Sequence, residues 1–171
     1  MSNEIINKVA NSGLITIDLE EFYPKGERIV FDLKPLLFQE LILKEKDFRE
    51  FIKNHDWKQY ASKFIAITCT ADAIVPTWAF MLVSIALAPY AKKIVYGDVT
   101  TLEAILFSEA LQKINYADYQ DKRVVVKGCG NLPVSINAYV ELVKELKPFV
   151  KSIMYGEPCS TVPLYKALIT K

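Results

Sequence analysis

The stretch Lys63-Phe-Ile-Ala-Ile-Thr-Cys69, followed by Pro76 and a long apolar segment, decides the predicted fold. Its short apolar run is typical of a buried strand, and Pro76 suits the first turn of a helix. The alternation continues, with further strands at 93–96, 123–127 and 150–155 and helices starting near Thr101, Pro133 and Pro163. Such alternation is typical of right-handed crossovers. We therefore predict a three-layer α/β fold with a mostly parallel sheet in a Rossmann-like or flavodoxin-like strand order.

The amino-terminal part carries two further strand patterns, at 14–19 and 28–33, around the turn-forming segment Tyr23-Pro-Lys-Gly-Glu27. Two strands joined by such a turn predict an antiparallel β-hairpin. An apolar stripe from Pro35 predicts an amphipathic helix or a pair of helices that ends near Asn54. We recognise no linker or internal repeat. The sequence therefore predicts one α/β domain over 1–171, with a hairpin addition at 1–34, a helical segment at 35–60 and a parallel strand-helix core at 61–171.

The composition limits the classes of function. The chain has 171 residues, of which 51% are hydrophobic, and a formal net charge of +1. A chain of this size folds without disulfides, and its charge balance argues against a nucleic-acid partner. Pro76 and Pro89 interrupt the charge-free segment 73–91, which favours a buried helix and no membrane partner. The first eight residues lack the pattern of an export signal, so we expect a cytoplasmic protein.

Three cysteines follow strands at the ends where α/β proteins bind their ligands. Cys69, Cys129 and Cys159 each come after a predicted strand and before a predicted helix start. The carboxyl ends of parallel strands share one edge of a sheet, and a helix amino terminus favours the thiolate that binds metal. In a 2-1-3-4 strand order, their three strands are neighbours. We therefore predict a metal site that holds zinc or an iron-sulfur cluster, with the strand spacing favouring the wider cluster.

Two residues near this pattern bear on the chemistry. Asp72, three residues after Cys69, is the candidate fourth metal ligand, and its alternative role is to cap the following helix. His55 is the only histidine and lies outside the strand-end pattern, at the end of the helical segment, where we expect it to be solvated. A Ser/His/Asp or Cys/His site would need His55, so triad hydrolase chemistry is disfavoured.

Several segments resemble one protein family. Thr68 to Trp78, Lys127 to Pro133 and Ser152 to Pro163, with Glu45 to Arg49 and Asn54 to Trp57, resemble the bacterial domain of unknown function 2480 family. The resemblance covers nearly the whole chain and implies no assigned reaction. It implies a gene context near iron-sulfur cluster assembly genes. It therefore implies iron-sulfur assembly proteins as partners and an accessory role in that assembly.

Two other functions stay open. In one, Cys129 is the nucleophile of an enzyme of sulfur-transfer or redox type, because Gly128 and Gly130 leave it accessible. In the other, the fold is a partner-binding scaffold and the cysteines are packing residues. Homo-oligomer formation, with the amino-terminal strands pairing across a dimer, is also open.

Overall fold

The computed structural model describes residues 13–128, 130–157 and 159–168. In chain order, its strands and helices are β1 (Leu14–Asp18), β2 (Arg28–Asp32), α1 (Glu45–Asn54), β3 (Phe64–Thr68), α2 (Thr77–Leu87), β4 (Lys93–Tyr96), α3 (Val99–Leu111), β5 (Arg123–Lys127), α4 (Ile136–Leu146), β6 (Ser152–Glu157) and β7 (Ser160–Lys166). Short 3₁₀ turns follow β1 and β2 and precede β3 and β5. In the described part of the chain the strands form two mostly parallel sheets, so the predicted α/β class is confirmed.

The chain divides into two compact units. Unit 2 is the continuous segment Lys25–Ile105, and unit 1 combines Met1–Pro24 with Leu106–Lys171, as far as these residues are described. The division falls inside α3. That both units behave as the one domain expected over 1–171 stays a prediction.

Unit 2 is built on the parallel sheet β2-β3-β4. Its central strand β3 is buried from Phe64 to Ile67, as expected for a parallel strand covered on both faces. Helix α2 packs onto this unit with one fully buried side, which consists of Ala79, Val83 and Leu87. These residues share a hydrophobic core with Phe48 of α1 and Trp57 of the 3₁₀ turn before β3.

Unit 1 is built on the sheet β1-β5-β6-β7, in which the first three strands are parallel and β7 is antiparallel. The central strand β5 is buried at its three valines, Val124 to Val126. Helix α4 buries Ala138, Leu142 and Leu146 against the same core. Phe107 and Leu111, in the last part of α3, complete it.

The predicted amino-terminal hairpin and the predicted single sheet are wrong. β1 pairs in parallel with β5, and β2 pairs in parallel with β3. In each pair, a buried residue of the first strand lies beside a buried residue of the central strand. Ile17 of β1, for example, lies beside Val126 of β5. An alternating pattern specifies which face of a strand is buried but not which strand is its partner. Burial against a central strand therefore outweighs the local turn between β1 and β2.

The short helix expected near Pro163 is also absent, and its place is taken by β7. Pro163 pairs with Met154 of β6 beside a register shift between Ile153 and Met154. Proline is tolerated on an edge strand next to such an irregularity, because the missing N–H breaks no regular ladder bond there. A proline such as Pro163 is therefore compatible with a helix start or with an edge strand. The segment forms a strand because it pairs with the edge of β6.

The two units repeat one arrangement of strands and helices. Helix α2 begins at Thr77 and α4 begins at Ile136, and both have 11 residues. The same offset of 59 residues relates β3 to β5 and β4 to β6. It also relates Phe48 to Phe107, which are both almost fully buried. The backbone agrees, since Ser62 and Asp121 both have positive φ, of 60° and 57°.

The sequence does contain this repeat, although the alternation of elements alone did not expose it. The segment Leu87-Ala-Pro-Tyr-Ala-Lys-Lys-Ile-Val-Tyr-Gly-Asp98 aligns without gaps with Leu146-Lys-Pro-Phe-Val-Lys-Ser-Ile-Met-Tyr-Gly-Glu157. The first strands fall outside the constant offset, since β1 and β2 follow each other directly in the chain. The expectation that the chain has no internal repeat is therefore corrected.

The charge-free segment 73–91 contains α2, which ends at Leu87. None of the helices in the described ranges combines the length and apolar character needed to cross a bilayer.

Candidate functional site

An apolar groove lies between the helix and the strands of each unit. In unit 1 it has a volume of about 480 Å³, and its lining includes Val126, Ile136, Tyr139, Val140, Tyr155 and Leu164. In unit 2 it has a volume of about 690 Å³, and its lining includes Ile67, Thr77, Phe80, Met81, Ile85 and Tyr96. We call these the closed groove and the open groove, names that refer only to the strand side, where a further strand, β7, borders the first groove and no described strand borders the second.

The two grooves are the same site in the two copies of the repeat. At the offset of 59 residues, Val126 corresponds to Ile67 and Tyr155 to Tyr96, and these residues form the strand side. The helix side corresponds in the same way, with Val140 of α4 at the position of Met81 of α2. Both grooves lie towards the carboxyl ends of parallel strands and the first turns of a helix, where α/β folds bind ligands.

Strand β7 makes the difference between the grooves. In unit 1 it pairs with β6 and contributes Leu164 to the groove wall. In the described part of unit 2, the equivalent strand β4 pairs only with β3 and is therefore an edge strand. After β4 the chain continues into helix α3 and adds no further strand to this sheet. As a result Tyr96 is 71% exposed, whereas its counterpart Tyr155 is half-buried.

A glycine explains how Tyr139 is held over the closed groove. A Cβ atom at Gly128 would lie 2.7 Å from the Tyr139 hydroxyl, closer than real Cβ contacts, and 3.0 Å from Cβ of Leu19, tighter than most of them. At the equivalent positions, unit 2 has Cys69 in place of Gly128 and Phe80 in place of Tyr139. Phenylalanine lacks the hydroxyl, so a small side chain fits beside it. The structure thus indicates a packing role for Cys69, which is half-buried against the core of unit 2.

An aspartate ends the first strand of each unit and holds the carboxyl end of the sheet. Asp18 accepts a hydrogen bond from the Glu20 amide, and its other oxygen lies 3.0 Å from Nζ of Lys127. The hydrogen bond that Lys127 donates to Asp18 raises the pKa of Lys127, and the negative charges of Asp18, Glu157 and Glu20 raise it further. The closed groove therefore lies beside a salt bridge that fixes the end of β5.

Asp32 plays the equivalent part in unit 2, where its hydrogen bonds come from backbone amides and a hydroxyl, and the charge of Lys34 also acts on it. It accepts hydrogen bonds from the amides of Lys34 and Thr70 and from the Thr70 hydroxyl. Burial by itself would raise the pKa of Asp32, but these hydrogen bonds outweigh it and lower the pKa below the ordinary value. The loop after β3 is therefore fastened to the end of β2.

Glu20 approaches the loop after β5. Its atom Oε1 is buried and has no hydrogen-bond partner among the described residues. A Cβ atom at Gly130 would collide with this carboxylate. Gly130 is therefore required for the close approach of Glu20 to the loop.

Comparison with protein families gives one match. The model of a family described as a protein of unknown function (DUF2480) matches residues 3–167. The chain belongs to this family. Neither the curated proteins nor the solved structures contain a significant match to the chain. The resemblance seen in the sequence is thereby confirmed, and membership of the family assigns no chemistry to the site.

The predicted metal site is wrong for the part of the chain that the structure describes. Among those residues, no group of three or more Cys, His, Asp or Glu side chains is arranged to hold a metal ion. The prediction required the strands before the three cysteines to be neighbours in one sheet. Instead, β3 belongs to the sheet of unit 2, whereas β5 and β6 belong to that of unit 1. The zinc and iron-sulfur hypotheses therefore lose their geometric basis.

The individual candidates have different surroundings. Cys69 follows β3 in unit 2, and Asp72 is exposed and does not cap α2, which has no side-chain cap. Cys159 is exposed in the turn between β6 and β7, so it does not precede a helix as expected. Cys129 lies outside the described residues, and its proposed role as a nucleophile is untested.

His55 is packed among aromatic rings and is not simply solvated. Its ring centroid lies 4.6 Å from that of Phe51 and 4.7 Å from that of Trp57. Its Nε2 lies 3.0 Å from the Tyr60 hydroxyl, within hydrogen-bonding distance. Burial, with the nearby charge of Asp56, raises the pKa of Tyr60. The sequence placed His55 at the helix end correctly but could not show that the following turn folds back over it.

In the sequence alone, the groove residues Phe80, Met81 and Tyr139 look like core residues, because apolar side chains at helical spacing are usually buried. The signal that identifies them is the repeat, because an alignment at the offset of 59 residues pairs the apolar positions of α2 with those of α4. Positions that stay apolar in both copies but remain exposed, such as Met81 and Val140, then stand out.

Proposed function

We propose that unit 1 binds an uncharged aromatic small molecule in the closed groove. The observation that carries the proposal is a volume of about 480 Å³, walled by α4 and by strands β5 to β7, whose described lining contains no charged side chain. Small-molecule sites in proteins have volumes of this order and are lined mainly by apolar and aromatic residues. A charged ligand would lose its hydration there without gaining a partner, which favours an uncharged one.

Two tyrosines support an aromatic ligand. The rings of Tyr139 and Tyr155 meet edge to face, with centroids 5.9 Å apart and an angle of 79° between their planes. Aromatic rings attract one another in this arrangement, and a third ring can join it. Tyr139 packs against the core of unit 1, and Gly128 leaves room for its hydroxyl, so the aromatic surface is positioned before a ligand arrives.

The exposed wall of the groove gives a route of entry. Ile136 is 80% exposed and Val140 is 60% exposed, so apolar surface at the mouth is in contact with water. Covering these side chains with a ligand stabilises the complex by about 25 cal/mol for each Å² removed from water. A cytoplasmic, reducing location is part of the same proposal, and the free thiols of Cys69 and Cys159 support it.

Fluorescence titration tests the proposal with N-phenyl-1-naphthylamine, an uncharged aromatic probe whose emission rises in apolar surroundings. We expect saturable binding of one probe molecule for each chain. Val140→Glu places a carboxylate in the closed groove and should weaken binding at least about tenfold, or roughly 1.4 kcal/mol. The matched control is Met81→Glu, the equivalent change in the open groove, which should leave the affinity unchanged.

Three results would overturn the assignment: probe emission that does not saturate, an affinity for Val140→Glu equal to that of the wild type, or equal losses in both variants. The last result would place the probe outside the closed groove. Since Val140 is exposed, the variant should fold, and far-ultraviolet circular dichroism checks that it does.

A further inference from the structure

We propose that two copies of this chain associate through antiparallel pairing of their β4 strands, so that each copy closes the open groove of the other. The surface is the open edge of β4 together with the exposed residues Met81 and Ile85 of α2. This inference concerns unit 2 and does not depend on ligand binding in unit 1.

The edge of β4 carries backbone groups that are directed away from the sheet. The Gly97 amide donates to the carbonyl of Ile67 in β3, and directions alternate along a strand. Ile94 and Tyr96 therefore direct their N–H and C=O groups to the open side. Proteins usually cover such an edge, because it is a template for another strand.

The chain itself shows how this edge is covered in the other copy of the repeat. Strand β7 pairs antiparallel with β6, and Tyr165 lies opposite Ile153, the counterpart of Ile94. A second copy of β4 fits the same position. If Ile94 lies opposite Tyr96 of the second copy, an isoleucine faces a tyrosine across the strands, as Ile153 faces Tyr165 in unit 1. Aromatic and β-branched residues form favourable cross-strand pairs.

This register also matches the charges at the two ends of the strand. Lys92 precedes β4 and Asp98 follows it. When Ile94 lies opposite Tyr96 of the second copy, Lys92 lies opposite Asp98 of that copy, and the twofold axis repeats the pair. Opposite charges in facing positions favour an antiparallel pair, whereas like charges disfavour it. Two complementary pairs therefore lie at the ends of the paired segment, and between them Lys93 lies opposite Gly97 and no acidic residue is present.

The outer side of α2 supports a second copy as the occupant. Ile85 is 67% exposed, and Met81 is 59% exposed. The counterpart of Ile85 in α4 is Lys144, so the fold accepts a charge at this position. Across a twofold axis each surface meets its own copy, and a charged surface would repel itself. A charge-free α2 beside the edge strand fits association with an identical partner.

Sedimentation velocity over a concentration series tests this proposal on the full chain without ligand. The wild type should show a monomer–dimer equilibrium. Ile85→Lys, which introduces the residue found at the equivalent position of α4, should raise the dissociation constant at least about tenfold. Lys92→Glu places two acidic residues opposite each other and should also weaken the dimer. Ile136→Lys, at an exposed apolar residue of unit 1, is the matched control and should leave the equilibrium unchanged.

Hydrogen exchange tests the pairing of the strands. The amides of Ile94 and Tyr96 should be protected at concentrations at which the dimer forms and should exchange rapidly in the Ile85→Lys monomer. A wild type that stays monomeric up to about 1 mM overturns the proposal and indicates a segment of another protein as the occupant. A dimer that resists both Ile85→Lys and Lys92→Glu, or that leaves both amides unprotected, overturns it too. Tryptophan fluorescence confirms folding, and Lys92→Glu decides the question alone if Ile85→Lys does not fold.

Discussion

Helices α2 and α4 have equivalent positions in their units but carry different residues on the sides that face away from the core. Their buried positions agree closely, since Ala79, Val83 and Leu87 correspond to Ala138, Leu142 and Leu146. At the exposed position, α4 has Lys144 where α2 has Ile85, and at partly buried positions beside it α4 has Glu141 and Glu145 where α2 has Leu82 and Ala86. Packing restricts the inner positions, because a core tolerates little change in volume. The exposed position is free of that restriction, so the difference between Ile85 and Lys144 reflects what each unit contacts.

The largest expected effect concerns an ion pair that only unit 2 has at this position. Arg28 of β2 donates to Glu103 of α3 at 2.6 Å, and both side chains are 11% exposed. The position of Arg28 corresponds to Leu14 in β1. Glu103→Leu should lower the free energy of unfolding by about 3–5 kcal/mol, because it removes the carboxylate that neutralises the buried Arg28 charge. Urea denaturation followed by tryptophan fluorescence measures this, since Trp57 and Trp78 both belong to unit 2.

The double variant Arg28→Leu with Glu103→Leu is the control for this prediction. It removes both buried charges together, so it should recover most of the lost stability. A single variant as stable as the wild type would show that the ion pair does not support unit 2.

The next largest effect is expected when the pair Gly128 and Tyr139 of unit 1 is replaced by the residue types of its counterpart in unit 2, Cys69 and Phe80. Gly128→Cys introduces the residue found at the equivalent position of unit 2 and should cost about 2 kcal/mol, because its Cβ collides with the Tyr139 hydroxyl and the φ of 157° at Gly128 favours glycine. Adding Tyr139→Phe, which completes the pair found in unit 2, should recover part of this loss. Chemical denaturation of the single and double variants measures the coupling. Additive losses, without recovery, would contradict the paired exchange of Gly128 and Tyr139 for Cys69 and Phe80.

A smaller, pH-dependent effect separates the two strand-end aspartates. Hydrogen bonds hold the pKa of Asp32 below its ordinary value of 3.8 in the folded protein. Its contribution to stability should therefore be complete above that value and be lost as the pH falls through the lower, folded pKa. Asp32→Asn should cost about 1.5 kcal/mol at pH 7 and flatten the loss of stability in acid. The exposed Asp72→Asn is the control, and an equal flattening there would refute the role of Asp32.

The smallest effects concern the thiols. Cys159 is exposed and Cys69 is half-buried, so Cys159→Ser should change stability by less than about 0.5 kcal/mol and Cys69→Ala by about 1 kcal/mol. Mass spectrometry after timed alkylation should show that Cys159 reacts before Cys69. Equal rates would indicate that the loop after β3 opens, and would contradict the packing role of Cys69.

Much of the fold could be predicted because its strands are local apolar runs. The segments predicted at 93–96 and 123–127 coincide with β4 and β5. Their partners could not be predicted, because β1 and β2 lie close together in the chain and yet join different sheets. The metal hypothesis placed Cys69 correctly after a strand, but it also needed all the strands in one sheet.

The candidate site was harder to predict than the fold. Tyr139 and Met81 look like core residues in the sequence, since a helix period does not show which apolar positions stay exposed. An alignment of residues 87–98 with 146–157 would have revealed the repeat and directed attention to both grooves.

The sequence by itself determined the α/β class, the positions of the central strands and the family, because these follow from local patterns and from similarity along the chain. Only the tertiary structure decided that the strands divide between two sheets, that β7 closes one groove, and that β4 leaves the other open. The physical reason is that strand pairing joins residues far apart in the chain. Local preference specifies a strand, whereas burial in the completed core selects its neighbour.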